Sequence, residues 1–540
     1  MKKDLLKYSL ALVAFFLLKS SAIAQEKGDT TKAKQQPLEL PEFVITGQEQ
    51  LNVPGGIKQE PLKTRALKKS ELDSLNSLEK QTTLVPSPVV MPSTAFQANP
   101  FKGFVRGEFG QFITPDILGG YSADFEGYNV FANGRFTTSG GHVDNADFTK
   151  IFGSANLSYT APEKYYIFGG STTETSVLFK RDSYKLYAIS AAPQRSTTEF
   201  GARVDVDGNF EGFSFSSGAG YDMLNLSHES RETTDNNLNG FLKLQNMWRG
   251  FLVGGDVLLD FHTLRGDGLR FVEFAGNGEF SNDVLTLRGR GGFQTAKGNF
   301  AARNALLLDG EVEFRFSELF TIRGGASTGL KNNTFKKLIE INPYLADSAQ
   351  VDFAYNPVMA RAFLIIHPTP EMSFSAGVRS GLTDRLPFFK TAADSGSFAV
   401  MYEDASILEI IGEAFWQITP RDNFAGNVTV TGSSFRSEAF KGKSIPYVAP
   451  LQGQFMFNHA WTDEFSTGIT AAFTGERTAD LESTTKLPAY TDLRLEGNYK
   501  LNERFSVFAR ANNLLNQDIY VWQNYRERGI FGAAGVLWKF

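Results

Sequence analysis

The sequence predicts an all-β protein: a transmembrane, antiparallel, up-and-down β-barrel with an even number of strands, about 22, with 16–20 as the alternative. Three observations predict it. Phe (49) and Gly (51) are both abundant in the 540 residues, and Cys is absent. From Gly103 to Phe540 alternating apolar and polar runs recur along the whole chain. The connections between those runs alternate between tight polar turns and longer loops. Long alternating segments joined in this way are the pattern of an outer-membrane barrel.

The chain opens on an export address. Lys2, Lys3 and Lys7 precede the apolar stretch Leu10 to Leu18, and Ala22-Ile23-Ala24 follows as a small-x-small cleavage site. This order is that of a secretory signal peptide over residues 1–24, whose core is too short to span a bilayer. No later run of 18 apolar residues exists, so a membrane location demands strands. Without Cys there are no disulfides, no thiolate metal site and no lipid-modified Cys. A formal charge of -5, with no long basic run, argues against a nucleic-acid partner.

Residues 25–40 are polar and read as a flexible periplasmic linker. Residues 41–102 form a short, mostly irregular segment. It begins with a β-prone burst, Glu42-Phe43-Val44-Ile45-Thr46-Gly47. Ser70 and the spacing of Leu72, Leu75 and Leu78 predict one short helix over 70–80. Pro86, Pro88, Pro92 and Pro100 then keep the chain extended and outside any sheet centre.

Residues 103–540 carry the barrel pattern. In Leu306–Phe316 one face reads Leu306, Leu308, Gly310, Val312, Phe314, Phe316, and the other Asp309, Glu311, Glu313, Arg315. Thr491 to Leu501 and Leu285 to Phe293 follow the same rule. Successive side chains of a strand point to opposite faces, so each segment has one apolar and one polar face. A soluble sandwich would also alternate, but its strands average about 5–6 residues, and these reach the roughly 9–11 that a tilted strand needs to cross a bilayer. The tight connections are expected at 161–164, 281–283, 317–318, 368–371, 420–422, 462–464 and 502–504. The longer ones are expected at 176–196, 222–236, 331–350, 385–401, 436–449 and 477–488.

The chain ends Gly535-Val536-Leu537-Trp538-Lys539-Phe540, with Ile530, Gly532, Ala534, Val536, Trp538 and Phe540 on one face. A terminal Phe540 with Trp538 two residues before it and Gly535 upstream resembles the signal read by the bacterial barrel-assembly machinery. Asn513-Leu514-Leu515-Asn516, then Tyr520, then Arg528-Gly529, looks like the C-terminal end of TonB-dependent receptors. Residues 42–47 are similar to that family's energy-coupling box, and Asn52 to Ile57 to the opening of its plug domain. The resemblance implies a twenty-two-strand barrel in the bacterial outer membrane, a transported solute and a TonB-type periplasmic energy-coupling protein as partner. One departure is plain: about 50 residues separate the box from the first strand, so the plug is expected to be missing or rudimentary.

An enzyme is not expected. His142, His228, His262, His367 and His459 show no metal-ligand spacing, and no cofactor is indicated. Gly325-Ala326-Ser327-Thr328-Gly329 matches a nucleophile-elbow pattern, but Ser327 is expected mid-strand rather than on a strand–turn–helix elbow. Lumen-facing charges are expected at Arg106, Glu108, Arg288, Arg290, Asp309, Glu311, Glu313, Arg315, Arg323, Asp492, Arg494 and Glu496. Their mixed signs predict cross-strand ladders more than a charge filter. The functional expectation is solute movement across the outer membrane, energised through the coupling box. The alternatives are a passive porin-like channel, or a structural or docking protein that transports nothing.

Overall fold

The computed structural model describes residues 101–540 except 166–167 and 393–395. The expectations for the signal peptide, linker, coupling box, short helix and plug segment therefore lie outside the described residues.

β1 (Gly103–Gly110), β2 (Thr114–Phe125), β3 (Tyr128–Ser139), β4 (Phe148–Thr160), β5 (Thr172–Lys185) and β6 (Gln194–Phe210) begin one sheet. β7 (Phe213–His228), β8 (Arg231–Trp248), β9 (Phe251–Leu264), β10 (Asp267–Ser281), β11 (Leu285–Lys297) and β12 (Ala302–Arg315) continue it. β13 (Phe320–Lys331) leads through helix α1 (Phe335–Ile341) to β14 (Ala354–Ile366), β15 (Met372–Thr391), β16 (Phe398–Thr419) and β17 (Asp422–Phe435). β18 (Leu451–Ala460) and β19 (Phe465–Thr474) precede a small hairpin, β20 (Arg477–Thr478) with β21 (Lys486–Leu487). β22 (Tyr490–Lys500) and β23 (Phe505–Asn512) precede a second, β24 (Tyr520–Trp522) with β25 (Tyr525–Arg526), and β26 (Phe531–Lys539) ends the chain.

Apart from the two hairpins, each strand pairs antiparallel with the next, giving a 22-stranded sheet. β1 pairs with β26 from Phe104↔Lys539 to Gly110↔Ala533, and this closes the cylinder. Closure matters because an open edge in hydrocarbon would leave a row of backbone groups without partners. Both ends of the barrel lie on the rim that carries the tight turns, as an even strand number requires. The apolar face looks outward, with Phe109, Phe274, Leu306, Leu308 and Ile410 among the exposed side chains.

Some connections differ from expectation. The 222–236 region is not a loop: β7 and β8 run through it and join at Glu229-Ser230. Most of 176–196 belongs to β5 and β6, and 385–401 is mainly the ends of β15 and β16, which reach 20 and 22 residues. In the other direction, the connection expected to be tight at 161–164 runs from 161 to 171. The long strands escape the alternating pattern because their outer ends are buried on the inner face. Leu224, Leu226, Leu264, Leu269, Phe389, Phe398 and Val400 turn inward there and pack on loops.

Candidate functional site: the outer mouth and the lumen wall

The inner wall carries ion-pair ladders. Arg288 bonds Glu311 at 2.9 Å and Glu279 at 3.4 Å, and Arg361 reaches Glu311 at 2.7 Å and Asp309 at 3.7 Å. Arg290 is paired to both Asp256 and Glu273. Glu313 holds Arg315 at 3.0 Å and Arg323 at 3.1 Å, Arg494 holds Asp492 at 2.6 Å, and Glu496 stands opposite Arg510 in register. Arg288 and Arg323 pair across neighbouring strands, Arg290 and Arg361 reach Asp256 and Glu311 two strands away, and Arg315 and Arg494 pair within their own strands, so the network stiffens the wall while lining it with polar atoms. Ser327 sits in β13 opposite Asp309 and Met359, with strand on both sides.

The outer mouth is built differently, and the sequence pattern did not announce it. The connection 332–353 turns inward. Thr334 caps α1, its hydroxyl accepting from the Lys337 amide at 3.1 Å, and Phe335 and Leu338 are buried. The chain after α1 is held by β6, β8 and the β9–β10 turn. Arg195 on β6, almost fully buried, donates to the Leu345 carbonyl at 2.6 Å. Arg265, in the β9–β10 turn, donates to the Asp347 and Ala349 carbonyls, each at 2.7 Å. Thr233 on β8 adds a bond to the Asp347 carbonyl at 3.2 Å. Lys336 pairs with Glu199 on β6 and with Asp222 on β7 at 3.3 Å.

The loop 513–530 enters from the other side. Here the family-like tail has a local reason. Asn513 sits at φ 48°, is almost fully buried, and staples its loop. Its amide donates to the carbonyls of Gln517 at 2.8 Å and Arg528 at 3.1 Å, and its oxygen accepts from the Gln517 amide at 3.0 Å. Asn516, at φ 50°, accepts from the Ile530 amide at 3.0 Å. A Cβ at Gly529 would lie 2.7 Å from the Asn516 side-chain oxygen, so a larger residue there would press on the group that holds Ile530. Between these staples, β24 and β25 push Trp522 and Tyr525 into the mouth, and Arg477 clamps the Tyr520 carbonyl at 2.6 Å. Leu514 and Leu515 lie in the bend between the two Asn residues.

The two loops meet ring on ring. Tyr344 stacks on Tyr525 with centroids 3.4 Å apart. Tyr187 packs edge-on against Tyr525 at 4.9 Å, and Trp522 lies against Phe389, Phe398 and Tyr447. The Tyr447 ring comes from the 436–450 connection and Ala479 and Leu487 from the β20–β21 hairpin, so one buried cluster spans the mouth from β7–β10 to β15–β16. Sequence reasoning missed this cluster. The signal that could have found it is the apolar content of 338–349 and the loss of alternation at the outer strand ends.

The site yields two expectations. Asn513→Ala removes three hydrogen bonds from a buried position and places Ala at a positive φ, a loss of roughly 3 kcal/mol for the loop. Trypsin should then cut at Arg526 and Arg528 in the folded barrel, and an unchanged cleavage rate would remove the stapling role. The second concerns pH. Burial pushes the Tyr447 phenol up to about 12, partly offset by its hydrogen bond to Thr391, and burial pushes Tyr525 up as well. A raised phenol pKa means that the closed state favours the neutral form. Its stabilisation is full below the free-phenol pKa of about 10 and is lost as pH rises through about 12; for Tyr447 it is worth about 3 kcal/mol. Protease access to the mouth loops should therefore stay flat from neutral pH to about 9 and rise steeply above 10. A flat profile to pH 12 would contradict it.

The C-terminal residues close the barrel wall. Trp538 lies opposite Val105 and Phe505, its ring stacked on Phe505, and Phe540 packs on Trp538. Gly535 leaves room for the Phe508 ring, over which the Arg106 guanidinium lies at 4.2 Å.

Comparison with known proteins fits this geometry. Residues 399–514 match the family described as "TonB dependent receptor-like, beta-barrel". No curated protein matches the chain by sequence. Among solved structures, the copper transporter OprC is similar over 81% of this chain and 80% of its own, with 14% identity and a TM-score of 0.62. The ferric-catecholate import receptor Fiu from K12 E. coli covers 82% of each chain at 9% identity and TM-score 0.63. The FrpB iron transporter from Neisseria meningitidis covers 82% of each at 10% identity and TM-score 0.66. Those names are of transporters and receptors, not of enzymes. The chain is thus a closed 22-strand β-barrel with the fold of these outer-membrane receptors and transporters, and its residues 399–514 match the barrel of TonB-dependent receptors.

Proposed function

We propose that the protein moves a solute across the outer membrane through a lumen whose outer mouth is gated by its own loops. The observation that carries this reading is the mouth itself. A polar, ion-paired wall leads up to a packed cluster in which Tyr344 and Tyr525 meet, and that cluster is held by side-chain clamps onto loop carbonyls. A passive channel needs a standing opening, and a cluster of buried rings across the mouth opposes one. A gate made of loops needs a bias to open it, either cargo bound at the outer face or force from the periplasm.

The segment Glu42 to Gly47 suits the second source. A β-prone burst that follows the polar residues 25–40 would offer a backbone edge to a TonB-type protein by strand addition, which tolerates varied side chains. Deleting residues 41–48 tests the reading. Lost uptake with normal assembly supports coupling. Unchanged uptake leaves diffusion, and no uptake by the intact chain leaves a docking role.

A further inference from the structure

The inner wall pairs its arginines, but the outer rim of β10 and β11 does not. Arg270 on β10 stands directly opposite Lys297, the last residue of β11. Both are exposed, and both share the outward face with Phe274 and Phe293, which pair in the same ladder. Side chains directly opposite on adjacent strands have Cβ atoms about 4.5–5.5 Å apart, so two like charges there repel. Among the described residues neither cation forms an ion pair, whereas Arg106, Arg135, Arg203, Arg288 and Arg290 each do.

Height decides what faces this pair. Phe251 and Phe261 mark the two ends of the apolar face of β9, both exposed. The rise between them is about 24 Å at roughly 3.4 Å per residue and a tilt near 45°, about the height of a barrel's lipid-facing band. Phe261 is the register partner of Arg270. The cation pair thus sits at the outer edge of the hydrocarbon, where acyl chains give way to headgroups. Exposed Phe274, Phe293 and Leu306 lie just below it, and Asn304, opposite Thr295, flanks it on the same face.

We propose that Arg270 and Lys297 bind a phosphate of an anionic glycolipid in the outer leaflet, with its acyl chains against Phe274, Phe293 and Leu306. A phosphate between the two replaces one repulsion by two attractions. The guanidinium supplies paired donors to two of its oxygens, and the ammonium supplies a point charge. The low dielectric below strengthens both. Arg181 on β5 serves as the comparison. It is also exposed on the outward face, but its register partners are Ile151 and Thr198, so it offers one charge only.

Native mass spectrometry of the full chain in mild detergent, mixed with bisphosphorylated lipid A, reads the site. The intact protein is expected to retain a lipid adduct. Arg270→Gln with Lys297→Gln should weaken it by about tenfold or more, and Arg270→Lys should keep most of it. Arg181→Gln should leave it unchanged, and lipid A stripped of its phosphates should bind the intact protein as weakly as lipid A binds the double variant. Equal adducts on the double variant overturn the proposal, as does an equal loss in Arg181→Gln. Equal retention of the dephosphorylated lipid assigns binding to the apolar wall alone and overturns it too. Inorganic phosphate retained as well as the lipid would make the site one for free anions and overturn the lipid assignment. The heat-dependent gel shift of a folded barrel confirms that each variant is assembled.

Discussion

A chain carrying Lys336→Glu together with Tyr525→Ala is expected to conduct ions and admit large antibiotics that the unaltered protein excludes. The two changes act on different parts of the closed mouth. Lys336 ties α1 to the wall through ion pairs with Glu199 on β6 and Asp222 on β7. Glu199 is buried, so reversing the charge at 336 sets carboxylates against each other where water screens them poorly. Tyr525 is fully buried, with Tyr344 on one side, Tyr187 on the other, and its hydroxyl donating to the Gly396 carbonyl. Truncating a packed aromatic ring of this kind costs about 3–5 kcal/mol. Each 1.4 kcal/mol is a factor of about ten in the closed-to-open ratio, so the pair should move the mouth from nearly always closed to substantially open. Single-channel recording measures this directly. It should be run on the full chain and on a chain lacking residues 26–100, so that any block by that segment is separated from block at the mouth. Conductance that stays at the level of the unaltered protein in both backgrounds would show that these loops are not the barrier.

The barrel was legible because its rule is local. In a strand such as Leu285–Lys297 every second residue faces lipid, and lipid tolerates neither Arg288 nor Arg290, so the pattern is written residue by residue. The count of strands followed from the same rule. The mouth was not legible for the converse reason. Leu224, Leu226, Leu264 and Leu269 break the alternation because they face other protein rather than water, and their partners Phe335, Leu338 and Leu345 lie far along the chain. A run apolar on the inner face looks like a faltering strand until the loop that covers it is placed. Arg195 and Arg265 show the same limit. Nothing in their neighbouring residues tells that their guanidiniums grip carbonyls at 345, 347 and 349.

The Asn-Leu-Leu-Asn tail marks where family likeness and physics meet. As a resemblance it pointed to a class of barrel. As geometry it forms a bend in which two amide side chains hold both ends of one loop and aim Trp522 and Tyr525 at the mouth. A change at Asn513 is therefore expected to reach the gate through Tyr525, without touching the lumen.

Glu108→Ala is expected to weaken the barrel more than any single change on the opposite wall. Glu108 is buried at the seam where β1 meets β26, and it is the shared anion of two arginines. It accepts from Arg106 at 3.0 Å on its own strand and from Arg510, two strands away across β26, at 2.6 Å and 2.9 Å. Removing it leaves two guanidiniums facing each other with no anion between them. Loss of one partner from a buried pair costs about 3–5 kcal/mol, and the partial exposure of both arginines brings the expected cost to the lower end, near 3 kcal/mol. Position magnifies the effect. The seam joins the first strand to the last, over a ladder running only from Phe104 to Gly110, and its failure turns a cylinder into a sheet with two open edges in lipid. The heat-dependent gel shift should then occur at a clearly lower temperature for Glu108→Ala. Arg288→Ala, which removes a cation from a half-exposed ladder far from the seam, should shift it little. In the double variant Glu108→Ala/Arg510→Ala part of the loss should return, because the second change removes a charge that the first left unpaired. Equal transition temperatures for Glu108→Ala and the unaltered chain would show that the backbone ladder alone holds the seam.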